Sequence, residues 1–507
     1  MGRTPRYASL LAALATVLLP AAPARALEEV LIELPLLQTT FSLRLTELAS
    51  VEALRQGNSD LAELDRASRG AVGRQLIALL QQPVPLSLKQ VAEGSVGSPL
   101  LEQAMLVIAS LGSVEGRAPD LSGTTLRQAL ITASANGDPT VFSLMKAIPG
   151  ERVRLNLGRA RQIASRLTSQ RRQAESLLAR TAPASLPPSL PAQPAGSVRQ
   201  RQVFLTVPHR PEPLELLVLE PGARANGRLV LISHGLWDTP TNFKGWGALL
   251  AASGYTVALP RHPGSDNSQQ QRVLTGQAPP PGPEELAQRP RDLSAVIDAA
   301  ASGALSLAQP VATERVVVLG HSWGATTALQ LAGLTPKDAS LRDRCRNLDD
   351  PERNLSWTLQ CSWLNGVQDA SLLRDPRVVA VAAVSPPVSL LFPEGSARLL
   401  GARVLLVSGG SDWIVPPDPE AIEPMRRGAR LGNQLVLVRD GDHFNLRPGE
   451  NPAGGALGPL LRTWTEAAFA AGAAVAPAPG ARPLLPPDGW GSASLPMADV
   501  TPQLGDR

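Results

Sequence analysis

A serine stands between two glycines in Gly320-His321-Ser322-Trp323-Gly324, with Val316-Val317-Val318-Leu319 before it and Ala325-Thr326-Thr327-Ala328-Leu329 after it. β-Branched residues that give way to alanine, threonine and leucine predict a buried strand, a tight turn and a helix from about Trp323. Glycines two before and two after the serine let the strand and helix backbones approach, and they leave the hydroxyl projecting from the sheet. A hydroxyl so placed is suited to nucleophilic attack; otherwise the five residues are a Gly-rich turn between core elements.

Such a hydroxyl needs a base to take its proton, and the base needs a group that orients it and stabilises its cationic form. There are five histidines. His209 falls in an early hairpin region, His234 ends the run Leu229 to Ser233, and His262 lies in the turn Arg261 to Asp266. His321 adjoins the serine, so its side chain should point away from it. His443, in Arg439-Asp440-Gly441-Asp442-His443-Phe444-Asn445, follows the last predicted strand in a loop free to reach the turn, and is the expected base. For the acid, Asp412 comes directly off the strand of residues 402–409 at the same sheet edge; Asp418, Asp440 and Asp442 compete with it. The order Ser322, Asp412, His443 is that of an α/β-hydrolase. Acyl transfer also requires donors for the developing oxyanion. The N–H of Trp323, at the helix start, is one candidate, and the N–H of Leu236, in Ser233-His234-Gly235-Leu236-Trp237, is the other.

The elements that must position these groups are legible as apolar runs. Strands are expected at residues 203–207, 214–220, 228–234, 255–260, 315–320, 377–385, 402–409 and 433–438. Helical segments are expected near 243–252, 284–301, 323–333 and 456–470. Such alternation predicts an α/β fold with a mostly parallel, doubly wound sheet that binds ligands at the carboxyl ends of its strands. Before it, residues 27–180 read as a smaller, mainly helical domain with one or two short strands around Phe41, Leu43 and Leu45. They end in a long amphipathic helix over 151–180, whose Arg-rich face reads as solvated. A Pro-rich linker over 181–199 joins it to the catalytic domain, 200–471, and the Ala, Pro and Gly-rich tail, 472–507, is expected to be irregular. An insertion near 334–375 exceeds a simple connection. Its Trp357, Leu359, Trp363 and Leu364 either line an apolar entrance or pack the insertion's own core.

At 507 residues the chain exceeds one domain. Arg3 and Arg6, the apolar run Ala8 to Leu19 and Ala24-Arg25-Ala26 read as a signal peptide over 1–26, since about a dozen apolar residues cannot span roughly 30 Å of hydrocarbon. Export to the periplasm or beyond is expected. In that compartment Cys345 and Cys361 can pair, closing a loop of roughly 15 residues worth about 3 kcal/mol; buried free thiols are the alternative. With two cysteines outside C-x-x-C spacing and no H-E-x-x-H, no metal and no cofactor are expected. A net charge of +4 without a basic run interleaved with aromatics gives no support to nucleic-acid binding. No later segment reads as a transmembrane helix, and peripheral contact with a membrane stays open.

Together VLISHGLWDTPTNF, GYTVALPRHPGSD, QRPRDLSAVID, VVVLGHSWGATTALQLAG, LLVSGGSDWIVPP and RDGDHFN resemble the secreted cyanobacterial α/β-hydrolases described as dienelactone-hydrolase-like. More distantly, SHGL and GHSWG are similar to the platelet-activating-factor acetylhydrolases. The nearer family carries a helical domain of unknown function ahead of the hydrolase, which residues 27–180 resemble. The resemblance implies Ser322, Asp412 and His443 as catalytic residues and Leu236 and Trp323 as oxyanion donors. Ala325 stands where relatives often have a third glycine. The expected activity is a serine esterase acting on lipid or short-acyl esters through an acyl-enzyme. A peptidase or amidase on the same fold, and a binding module with a vestigial site, are the alternatives.

Overall fold

The computed structural model describes residues 27–34, 39–81, 99–117, 124–136, 140–187, 198–222, 224–337, 341–368, 370, 373–392, 396–428 and 431–504. The expected signal peptide lies outside them, and none of the described helices is long and apolar enough to cross a membrane.

The larger sheet has nine strands: β5 (Val198–Leu205), β6 (Leu214–Pro221), β7 (Arg228–Ser233), β8 (Thr256–Pro260), β9 (Ala312–His321), β10 (Val378–Val384), β11 (Arg403–Gly409), β12 (Gln434–Val438) and β13 (Met497–Asp499). Their order is β13-β12-β11-β10-β9-β7-β8-β6-β5. The inner pairs from β8 to β12 are parallel, and β5 with β6, β6 with β8 and β12 with β13 are antiparallel. The strands read as continuous apolar runs because both faces are covered, and the period-2 pleat sends alternate residues to opposite cores. Leu229, Leu231, Val316, Val318, Val404 and Leu406 enter one core. Val230, Ile232, Val317, Leu319, Leu405 and Val407 enter the other. This is the α/β-hydrolase fold, with helices on both faces.

The N-terminal unit is mainly helical, as expected, with more strand than the one or two short strands expected around Phe41, Leu43 and Leu45. It holds a four-stranded sheet of β1 (Glu29–Leu34), β2 (Thr39–Arg44), β3 (Gly112–Val114) and β4 (Arg152–Leu155), in the order β2-β1-β4-β3, beside its short helices. The single helix expected over 151–180 is divided into β4 and helices Leu157–Ser169 and Arg172–Arg180. Val153 packs with Leu27 and Val30 as a strand residue, and Asn156 caps the first helix by accepting the Arg159 N–H at 2.7 Å. A new helix starts at Arg172 because the carboxylate of Asp418 accepts the N–H groups of Gln173 and Ala174 at 3.0 and 2.9 Å. The Arg-rich face is also not wholly solvated. Arg159 pairs with Asp349 and the Leu348 carbonyl, and Gln170 Nε2 donates to the Glu352 carbonyl at 3.0 Å, so these helices dock on the insertion.

The tail differs from expectation. The tail adds β13 to the sheet edge and buries Trp490 and Leu485, while the Met497 carbonyl accepts the N–H of Ala184 at 2.8 Å and so pins the start of the linker. Of that linker, residues 188–197 lie outside the described ones. In the insertion, Cys345 and Cys361 are disulfide-bonded across a separation of 16. Trp357 and Trp363 are fully buried there with Leu341 and Trp323, which is the core-packing alternative.

Burial raises the Asp418 carboxyl to about 6 against an unfolded value of about 3.9. The folded state therefore holds this proton more tightly. The contribution to stability is absent above pH 6, grows as pH falls, and is complete near pH 4. We expect an Asp418→Asn variant to lose that acid-side gain, at most about 2 kcal/mol after solvent screening. Urea midpoints of both proteins at pH 7 and 4.5 check it; identical pH dependence would refute the assignment.

Candidate active site

Ser322 has φ 54° and ψ −125°, a backbone region that costs a non-glycine residue roughly 1–3 kcal/mol and persists only where its surroundings fix it. The flanking glycines show what fixes it. A Cβ on Gly320 would lie 2.2 Å from the Gly324 carbonyl oxygen, and one on Gly324 would lie 2.0 Å from the Ser233 oxygen. No larger residue fits at either position without moving backbone. The Ser322 N–H donates to the Val384 carbonyl at 2.8 Å, tying the turn to β10. Ala325, in the helix Trp323–Leu331, is buried in the core, so a methyl group fits where a third glycine would otherwise stand.

The turn and two loops bring three distant side chains together at the carboxyl edge of the sheet. His443 Nε2 lies 3.1 Å from Ser322 Oγ, and its Nδ1 lies 3.0 Å from Asp412 Oδ2. Asp412 is fully buried, and its other oxygen accepts the N–H groups of Ile414 and Val415 at 3.0 and 2.8 Å. An ionised carboxylate only accepts, so the hydrogen-bond network assigns the proton to Nδ1 and leaves the Nε2 lone pair facing the hydroxyl. The competing acids are engaged elsewhere. Asp418 caps a helix of the N-terminal unit, Asp442 accepts the N–H groups of Phe444 and Asn445 at 2.7 Å, and Asp440 sits at φ 58° in the turn before them.

His321 turns away from the serine as expected, yet it touches the loop that carries His443. Its Nε2 donates to the His443 carbonyl at 2.9 Å, and the two rings lie 4.9 Å apart. Burial and the neighbouring His443 lower its pKa well below 6.5, so it stays neutral. Two of the remaining three histidines gather on one carboxylate, and the third, His234, accepts the His262 N–H. Asp292 accepts from His209 Nε2 at 2.8 Å and from His262 Nδ1 at 2.7 Å. The Nε2 of His262 lies 3.0 Å from Ser233 Oγ, and burial holds the ring neutral, with its pKa lowered to about 3. Ser233, His262 and Asp292 thus repeat the atom pattern of the first row. All three are closed to solvent, so a substrate has no access to them.

The loop carrying Leu236 lies against the turn. A Cβ on Gly235 would sit 3.2 Å from Ser322 Cβ, and the Trp237 N–H is held by the Ser265 carbonyl at 2.7 Å. Trp323 is the first helical residue, where an N–H has no carbonyl one turn earlier. Among the described residues neither the Leu236 nor the Trp323 N–H has an acceptor. At the rim, Trp413 and Phe444 adjoin Asp412 and His443 and are 50% and 51% exposed. Sequence reasoning passed over these two aromatics, although each directly follows a singled-out residue.

The chain belongs to the alpha/beta hydrolase family, whose model matches residues 229–496 and so contains every residue of this site. A second model, described as an alpha/beta hydrolase of unknown function (DUF1400), matches residues 26–156. Neither description names dienelactone hydrolases or platelet-activating-factor acetylhydrolases. A solved structure of Pyrococcus horikoshii acylaminoacyl peptidase is similar at 13% identity and a TM-score of 0.34, covering 53% of this chain. The match spans 42% of that peptidase's length. Comparison with curated proteins finds no match.

Proposed function

We propose that this hydrolase is an exported serine esterase that cleaves lipid or short-acyl carboxylic esters through an acyl-enzyme. The observation that carries the reading is the row Ser322, His443, Asp412, with hydrogen-bond contacts of 3.1 and 3.0 Å at a strained turn. In this reading His443 takes the serine proton as Oγ attacks the acyl carbon, and the N–H groups of Leu236 and Trp323 receive the negative charge that forms on the carbonyl oxygen. His443 then gives the proton to the leaving alkoxide. Water attacks the acyl-enzyme with the same histidine as base, the acyl–Oγ bond breaks as His443 returns the proton to Oγ, and the acid product leaves. Asp412 holds the imidazole in the required tautomer throughout. Trp413 and Phe444 offer an apolar rim that suits an ester with hydrocarbon on at least one side, and contact of this rim with a membrane surface belongs to the same proposal. The Cys345–Cys361 disulfide supports export.

Two measurements test the reading. A fluorophosphonate should add its phosphonyl group to the peptide containing Ser322, read by mass spectrometry, and a panel of p-nitrophenyl esters of rising acyl length should be turned over with one preferred length. A folded protein that takes no label at Ser322 and turns over no ester would favour the binding-module reading. Turnover of p-nitroanilides exceeding that of esters would favour an amidase.

A further inference from the structure

Arg289 lies fully buried in the helix Glu285–Ala301, separated from Ser322 in sequence by strand β9 alone. Its Nη2 donates to the backbone carbonyl of His234, and its guanidinium lies over the indole of Trp323, 4.8 Å from the ring centroid. One side chain thus touches both halves of the candidate oxyanion hole: the loop that presents the Leu236 N–H and the residue that presents the second N–H. Its Nε and Nη1 have no partner among the described residues. A planar cation held on one carbonyl and one ring, with its other donors unused, is not explained as an ordinary buried ion pair.

The surroundings fix where that guanidinium can lie. Pro290 follows Arg289 inside the helix and has no N–H, so the Leu286 carbonyl one turn earlier loses its helical partner. The side-chain amide of Gln330, on the helix that begins at Trp323, fills the vacancy at 3.1 Å. The two helices are therefore joined one turn below the guanidinium. On the other side, His234 Nε2 accepts the His262 N–H at 3.1 Å, which leaves its proton on Nδ1 to donate to the Gly235 carbonyl at 2.7 Å. That carbonyl and the Leu236 N–H belong to one planar trans peptide, so pulling the oxygen one way aims the N–H the other way. Arg289 holds the preceding peptide by its own carbonyl. The buried row Ser233, His262, Asp292 braces the same loop from below, with Arg210 and Glu285 completing the charge balance.

We propose that Arg289 is a positioning residue for the oxyanion hole, a planar clamp that sets the His234–Leu236 loop against Trp323 so that two backbone N–H groups converge on one oxygen. The inference rests on the esterase reading and deepens it. Burial lowers the Arg289 pKa to about 9, so the group stays cationic at neutral pH and adds positive potential where the acyl oxygen becomes negative.

The experiment compares wild type, Arg289→Lys and Arg289→Gln in the ester panel and in the rate of Ser322 phosphonylation, with thermal unfolding followed in parallel. A clamp acts when charge develops on oxygen, so kcat should fall about 100-fold in Arg289→Gln with KM within about threefold. Arg289→Lys keeps the charge but cannot stack and bond the carbonyl at once, and should recover part of the loss, remaining about tenfold down. Phosphonylation should slow in parallel, because the phosphonyl oxygen enters the same hole. A folded Arg289→Gln with wild-type kcat and phosphonylation rate would overturn the proposal. If that variant does not fold, Arg289→Lys decides in its place, with wild-type values overturning the clamp. Wild type inactive on every ester would sink the esterase reading, and the phosphonylation rates would still judge the clamp.

Discussion

We expect Ser322→Ala to turn over p-nitrophenyl esters about 10⁶-fold more slowly than wild type, down to the residual rate that substrate binding and the proposed oxyanion donors would support on their own. The size of the loss follows from the geometry. The substitution removes the one oxygen that faces His443 Nε2 at 3.1 Å, and the second serine with a histidine partner, Ser233, is fully buried and offers no substitute nucleophile. Stability should move little. Ser322 is 8% exposed, and among the described residues its hydroxyl meets His443 alone, so Ala leaves few orphaned groups. Alanine also has a Cβ and inherits the strained φ of 54°. Ser322→Gly should release that strain, raising the urea midpoint by an amount equivalent to about 1 kcal/mol while being equally inactive. Steady-state kinetics and urea unfolding of the three proteins check both halves. An alanine variant that keeps even one per cent of wild-type kcat would place the nucleophile elsewhere.

The parts of this molecule that were legible in the sequence are those with short-range causes. Runs such as Val316 to Leu319 and Leu435 to Val438 are continuous because both sheet faces are covered, and a continuous run is visible in a window of a few residues. The site residues were legible because chain order and strand ends carry them: Asp412 and His443 each follow an apolar strand, and Ser322 sits between glycines that nothing larger can replace. What escaped has long-range causes. The break that ends one helix and starts another at Arg172 depends on an acceptor 245 residues further along, and helical periodicity continues across it undisturbed. β13 has three residues, Met497 to Asp499, and acquires its identity from pairing with β12. Arg210, Glu285 and Asp292 lie buried, although charged residues are almost never so buried unless paired. Only the fold supplies the pairs, and with them the partners of His209 and His262, two of the four histidines set aside as bases.

Asp412→Asn should lower kcat by about 10⁴-fold with the fold intact, and the reason lies in which atom carries a proton. Asn can keep its carbonyl oxygen on the N–H groups of Ile414 and Val415, since that pair of bonds, at 3.0 and 2.8 Å, needs only an acceptor. Its NH₂ then faces His443 Nδ1, which must accept instead of donate. The ring proton moves to Nε2, where it meets the serine hydroxyl, and the imidazole can no longer take the proton that Ser322 must lose. KM should change far less than kcat, because the substrate touches neither atom. Asp418→Asn is the matched control. That carboxylate lies at the start of the helix Arg172–Arg180, bonded to Gln173 and Ala174, so its loss should alter the pH dependence of unfolding and leave kcat within about twofold. Kinetics of both variants on the preferred ester decide between the two acids. A nearly inactive Asp418→Asn beside an active Asp412→Asn would exchange their roles and undo the assignment of the row.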